Sequence, residues 1–125
     1  MKFRIFAGLS GGFGGPHYQG TFDFKNREEA ERAAYEQAVE EYQSYEGYHG
    51  IIAWDDCERE LMEFYYPEIP TEDDITNYYG EEIESWIDYS VELAPDDAPE
   101  WEEKFGECIF FAREAASAAL GGDAT

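Results

Sequence analysis

Cationic side chains are scarce in this sequence: eight lysines and arginines face thirty aspartates and glutamates, for a net charge of −22. Such a chain repels nucleic acid and anionic membrane surfaces and favours a basic partner. Cysteine is scarce too. Cys57 and Cys108 make neither a disulfide framework nor a metal site, and are expected to be reduced core residues. Only His17 and His49 could serve as imidazole bases or zinc ligands. No apolar run approaches the roughly 20 residues of a membrane span, and no secretory h-region opens the chain, so a cytoplasmic location is expected.

What the chain has in abundance is aromatic surface and clustered acid. Three Trp, ten Tyr and nine Phe can bury enough apolar area to hold a folded domain despite the charge. Fifteen of the carboxylates fall between Glu68 and Glu107, with Lys104 as their only base. At 125 residues the chain reads as one domain, 1–125, with a frayed tail over 121–125.

The periodicity predicts an α+β fold. Lys2 to Gly8 alternates, with Phe3, Ile5 and Ala7 on one face and Lys2, Arg4 and Phe6 on the other. Tyr18 to Phe24 alternates as a second strand, after a glycine-rich hairpin from Leu9 to His17 read as long and mobile. Asn26 caps a helix to about Tyr45, with Glu29 in the capping-box position and Ala30, Ala34, Ala38 and Tyr42 along one stripe. Ile51 to Trp54 reads as extended. Asp55 with Glu58 then opens a short helix through Cys57, Leu61, Met62 and Tyr65. Thr71 with Asp74 opens another, which Gly80 is expected to end. Ile87, Tyr89, Val91 and Leu93 alternate as a third strand. After a turn over 94–99, Pro99 starts a final amphipathic helix through Phe105, Ile109, Ala112, Ala116 and Ala119. The expected architecture is a three-stranded antiparallel sheet, ordered ββα, short helices, β, α, with two longer helices packed on one face.

Motifs for chemistry are weak. Gly8-Leu9-Ser10-Gly11-Gly12 fits G-x-S-x-G after a strand, but glycines and a proline follow where a nucleophile elbow needs a helix. The loop has neither a P-loop ending nor a dinucleotide fingerprint; Phe13 offers a possible contact for a partner or small ligand. No calcium-loop pattern occurs, and thirty acids make any carboxylate pair unspecific. The chain is therefore expected to be non-enzymatic, without cofactor or metal.

Carboxylates at i, i+4 lie roughly 5–6 Å apart on a helix and can imitate a run of phosphates. Glu72, Asp73, Asp74, Glu81, Glu82, Glu84, Asp88, Glu92, Asp96, Asp97, Glu100, Glu102 and Glu103 are expected to form one continuous acidic surface. Tyr78, Tyr79 and Trp101 are its expected aromatic anchors, and Trp86 and Tyr89 are assigned to the core.

The opening RIFAGLSGGFGG, the strand YQGTFDF and the helix ending EEYQSYEGYHGI resemble small uncharacterised proteins of bacterial phages and prophages. In size and acidity the chain is similar to phage-encoded anti-CRISPR and other DNA-mimic inhibitors. That likeness implies a basic host partner, a nucleic-acid-binding nuclease or CRISPR effector, as the target. The alternatives are a phage structural or adaptor protein with an acidic solubility shell, and a small-ligand binder using the glycine-rich hairpin. A dimer could double the negative surface.

Overall fold

The computed structural model describes residues 1–106. The final helix, expected to start at Pro99, begins only at Glu103, because the chain over 99–102 is spent crossing the sheet. Its expected continuation beyond Gly106, with Cys108, lies outside the described residues.

Three strands make an antiparallel sheet in the order β2-β1-β3, with β1 at Lys2–Leu9, β2 at Gly15–Asp23 and β3 at Ile87–Ala94. β1 is central, so both of its edges are paired, and residues on both of its faces are buried. Phe3 and Ile5 pack on Ala30 and Ala34 of α1 (Arg27–Ser44). Ala30, Ala34 and Ala38 are fully buried, and methyl-sized side chains let the helix backbone lie close to the strands. The Asn26 carboxamide accepts the Glu29 amide at 2.9 Å, which fixes where α1 begins.

Leu9, Tyr42, Ile51 and Ile83 form a second cluster at the other end of the sheet. It seats α3 (Glu72–Trp86) against the end of α1, and α2 (Trp54–Tyr65) packs on α3. α2 starts one residue before the predicted Asp55 cap: the Ala53 amide donates to Asp56 Oδ2 at 3.0 Å, so Trp54 is already helical. Thr71 and Asp74 make the expected capping box on α3.

Gly80 does not end α3. The helix continues to Trp86 and passes straight into β3. A mid-helix glycine costs only about 1 kcal/mol, whereas stopping there would expose Ile83 and Trp86, which pack on Leu9 and Tyr42. Glu81, Glu82 and Glu84 thus belong to a helix rather than a turn.

The glycine-rich connection is short and packed. A single 3-10 turn, Gly11–Phe13, joins β1 to β2. Phe13 lies among the rings of Tyr45, His49 and Trp86, with centroids 4.8 to 6.0 Å away. Gly8 is required where the strands meet, since a Cβ there would lie 2.5 Å from the Gly15 carbonyl oxygen.

A bulge in β2 sets up the other face of the sheet. Phe6 pairs with Tyr18 and Ile5 with Gly20, leaving Gln19 as the extra residue. The bulge puts Tyr18 on the same side as Thr21, away from α1, where a regular strand would have placed it with Gly20 and Phe22. The segment leading toward the expected last helix crosses this second face: Trp101 and Phe105 pack on Tyr18, and Phe105 on Phe6.

Candidate functional site

The fold sets the acids between Glu72 and Glu103 on three elements: α3, β3 and the segment that follows β3. On α3, Asp73, Glu81 and Glu84 share one exposed sector at 100° per residue, the face opposite Ile75 and Ile83. A shallow groove of about 690 Å³ runs beside it, lined by Tyr35, Thr76, Asn77, Gly80, Glu81 and Glu84 among others. Glu72 is exposed at the helix start, and Asp74 is turned back onto the Thr71 amide. Asp88 and Glu92 lie on the sheet face away from α1, because β3 alternates and Tyr89 and Val91 take the α1 side. Asp96, Asp97, Glu100 and Glu103 are exposed along the turn and crossing segment that follow β3.

Glu102 is not part of any acidic surface. Its carboxylate accepts two hydrogen bonds from the Arg4 guanidinium, at 2.8 and 3.1 Å, and a third from the Thr21 hydroxyl at 2.8 Å. Its amide donates to the Tyr18 hydroxyl at 3.0 Å. An arginine on a central strand loses its water and requires such a partner; Arg4 is 8% exposed, and Phe105 covers it with its ring centroid 4.3 Å away. The Arg4 hydrogen bonds hold the Glu102 carboxyl below its ordinary range, and the same bonds raise the guanidinium. Trp101 rests on Tyr18, 4.7 Å between centroids, and Gly106 is needed there because a Cβ would meet the indole at 2.4 Å.

The tyrosines expected as outward anchors are tied to carboxylates instead. Tyr78 donates to Glu60 of α2, Tyr79 to Glu46 beyond α1 at 2.7 Å, and Tyr35 of α1 to Glu84 at 2.9 Å. In a chain this poor in lysine and arginine, phenols satisfy carboxylates that basic side chains would otherwise pair. The contacts are legible in the titration of these groups. The hydrogen bond to Glu60 pushes Tyr78 up to about 12, and burial, assisted by Glu46, pushes Tyr79 up to about 12. The Tyr35 phenol is likewise raised, chiefly by its bond to Glu84. Beneath them burial raises Tyr42, and pushes the Cys57 thiol up to about 11. Trp86 is half-buried against Phe13 and Leu9, near its expected place, but Tyr89 is 38% exposed on an edge strand beside Tyr35.

Among the candidate acids only Glu92 and Glu102 reach a base, Arg4 in both cases; the rest have no ion-pair partner among the described residues. The serine-hydrolase motif is not assembled. The Ser10 hydroxyl is held by the Trp86 carbonyl at 3.1 Å, and the His17 Nε2 lies 3.2 Å from the Phe13 carbonyl. Among the described residues no three His, Cys, Asp or Glu side chains converge as metal ligands, and no helix is long and apolar enough to cross a membrane.

One group escaped the sequence reading altogether. Met62, Phe64, Tyr66 and Ile69 stand exposed around the end of α2. The sequence places Met62 only in a short helix with Cys57, Leu61 and Tyr65, and its exposure becomes visible only once α2 is placed in the fold. No protein-family model, curated protein or solved structure matches the chain.

Proposed function

We propose that this chain is a non-enzymatic inhibitor that competes with nucleic acid for a basic, nucleic-acid-binding protein of host defence, in the manner of an anti-CRISPR protein. The observation that carries the reading is the exposed α3 face, where Asp73, Glu81 and Glu84 stand beside a groove without basic partners among the described residues. The host-defence setting rests on the resemblance, in size and acidity, to phage-encoded anti-CRISPR and other DNA-mimic inhibitors.

The competition is one of field rather than of phosphate spacing. From Asp73 to Glu84 the helix rises about 16 Å, a length over which a duplex carries about ten phosphates. Three carboxylates do not copy that array. A domain of charge −22 nonetheless projects a negative potential that steers it into a positively charged channel and favours it there over solvent.

The reading is tested by capture from bacterial lysate on immobilised protein, comparing wild type with a Glu81→Lys/Glu84→Lys variant. Both side chains are exposed, so the fold should persist. The account expects the variant to lose a basic nucleic-acid-binding protein that wild type retains. Equal recovery by the two would refute the assignment of this face.

A further inference from the structure

Four large apolar side chains stand in water around the end of α2 and the loop behind it: Met62 is 47% exposed, Phe64 80%, Tyr66 82% and Ile69 81%. Apolar residues exposed singly are ordinary, but Met62 and Tyr66 share one side of the helix, whereas Phe64 falls near the opposite side at 100° per residue. The chain leaves α2 at Tyr66, whose ψ of 134° is the extended conformation demanded before Pro67. Tyr66 and Met62 line an open groove of about 560 Å³ with Glu58, Arg59 and Glu63. From Glu58 to Tyr66 the groove follows about two turns of helix, about 12 Å. That length suits an amphipathic helix laid alongside, anchored at i, i+4 and i+7.

Charge selects the occupant. Between Asp55 and Glu72 seven acids accompany one base, Arg59, which is already tied to Asp56 at 2.7 Å. A second copy of the chain, or an anionic lipid surface, would bring like charges together. A cationic helix would neutralise them. We propose that this groove docks an amphipathic helix of a partner protein, its apolar face covering Met62 and Tyr66 and its lysines and arginines lying beside Glu58 and Glu63. This contact is independent of the α3 face.

The test uses the full chain and a fluorescent peptide of leucine and lysine patterned as an amphipathic helix, followed by anisotropy. A shuffled peptide of the same composition, lacking an apolar face, is the control. The patterned peptide should bind at least about tenfold more tightly than the shuffled one, a difference of about 1.4 kcal/mol. An M62S/Y66S variant should lose that preference, while Glu81→Lys/Glu84→Lys should keep it even as overall affinity falls. Both substituted side chains are solvent-exposed, so the unfolding midpoint should change little and should verify that the variant is folded. Equal binding of the two peptides, or an unaltered preference in M62S/Y66S, would overturn the proposal. So would self-association of the protein alone that M62S/Y66S abolishes, which would assign the groove to a second copy. Failure of the α3 charge reversal to release a lysate partner would leave the peptide result standing, and the reverse holds as well.

Discussion

Replacing Glu102 with alanine removes the group that neutralises the one basic side chain buried in the middle of the sheet. Arg4 would keep a 3.3 Å hydrogen bond to the Leu93 carbonyl, a 3.6 Å approach to Glu92 and the ring of Phe105, but lose both hydrogen bonds to the Glu102 carboxylate. Breaking one side of a buried pair costs about 3–5 kcal/mol, and the surviving contacts place this case near the lower end. A domain of ordinary stability has about 5–15 kcal/mol in total, so urea unfolding at pH 7 followed by far-UV circular dichroism should show a large fall in midpoint. Replacing both partners with apolar residues, Arg4→Met with Glu102→Leu, should recover most of the loss, because the penalty lies in the orphaned charge. The pair also sets a pH dependence. Arg4 depresses the Glu102 carboxyl below its ordinary value, so its stabilisation is fully present above that value and is lost as the pH falls through the folded one. The gap between wild type and Glu102→Gln should therefore close in acid. A loss under about 1 kcal/mol for Glu102→Ala, with an unchanged denaturant slope, would refute the reasoning.

At Gly20, where φ is 131° and a Cβ would lie 2.6 Å from the Phe22 ring and 3.3 Å from the Glu100 carbonyl, alanine should cost about 2 kcal/mol. Gly12→Ala, in open space, should be neutral by thermal unfolding. Cys57 is fully buried, and its thiol is raised to about 11 by that burial; it should resist iodoacetamide in the native protein and react only on unfolding, as read by peptide mass mapping. Cys57, Tyr78 and Tyr79 all titrate higher in the folded state than their ordinary values, so folding favours their neutral forms. That stability is intact below about pH 9 and should fall as the pH rises toward 11; constant urea midpoints from pH 8 to 11 would contradict it.

Where the hydrophobic period was clean, the sequence was enough to read the fold. The alternation of Ile87, Tyr89, Val91 and Leu93 located β3, and Asn26 with the alanine stripe located α1. Gly80 misled because a local breaker is weighed against packing that only the tertiary structure supplies. The bulge at Gln19 has no sequence signature, yet it turns Tyr18 toward Thr21 and Glu102 and builds the second face of the sheet. The candidate site was legible as composition and not as geometry. Counting acids could not distinguish Glu102, consumed by a buried arginine, from Glu81, which is exposed. Nor could it show that Tyr78 and Tyr79 bond to carboxylates rather than face a partner. The exposed end of α2 was not legible because the pattern of Cys57, Leu61, Met62 and Tyr65 marks a helix without showing which of its side chains the rest of the fold covers.

The central claim is that acid on this protein takes the place of nucleic acid on a basic partner. Its most direct test is to hold the captured partner on the wild-type protein and challenge it with duplex DNA at about 0.1 M salt, then to repeat the capture at about 0.5 M, where screening is much shorter in range. The account predicts that the duplex displaces the partner and that the higher salt weakens its capture. A partner retained through both challenges would show that something other than the acidic face holds it.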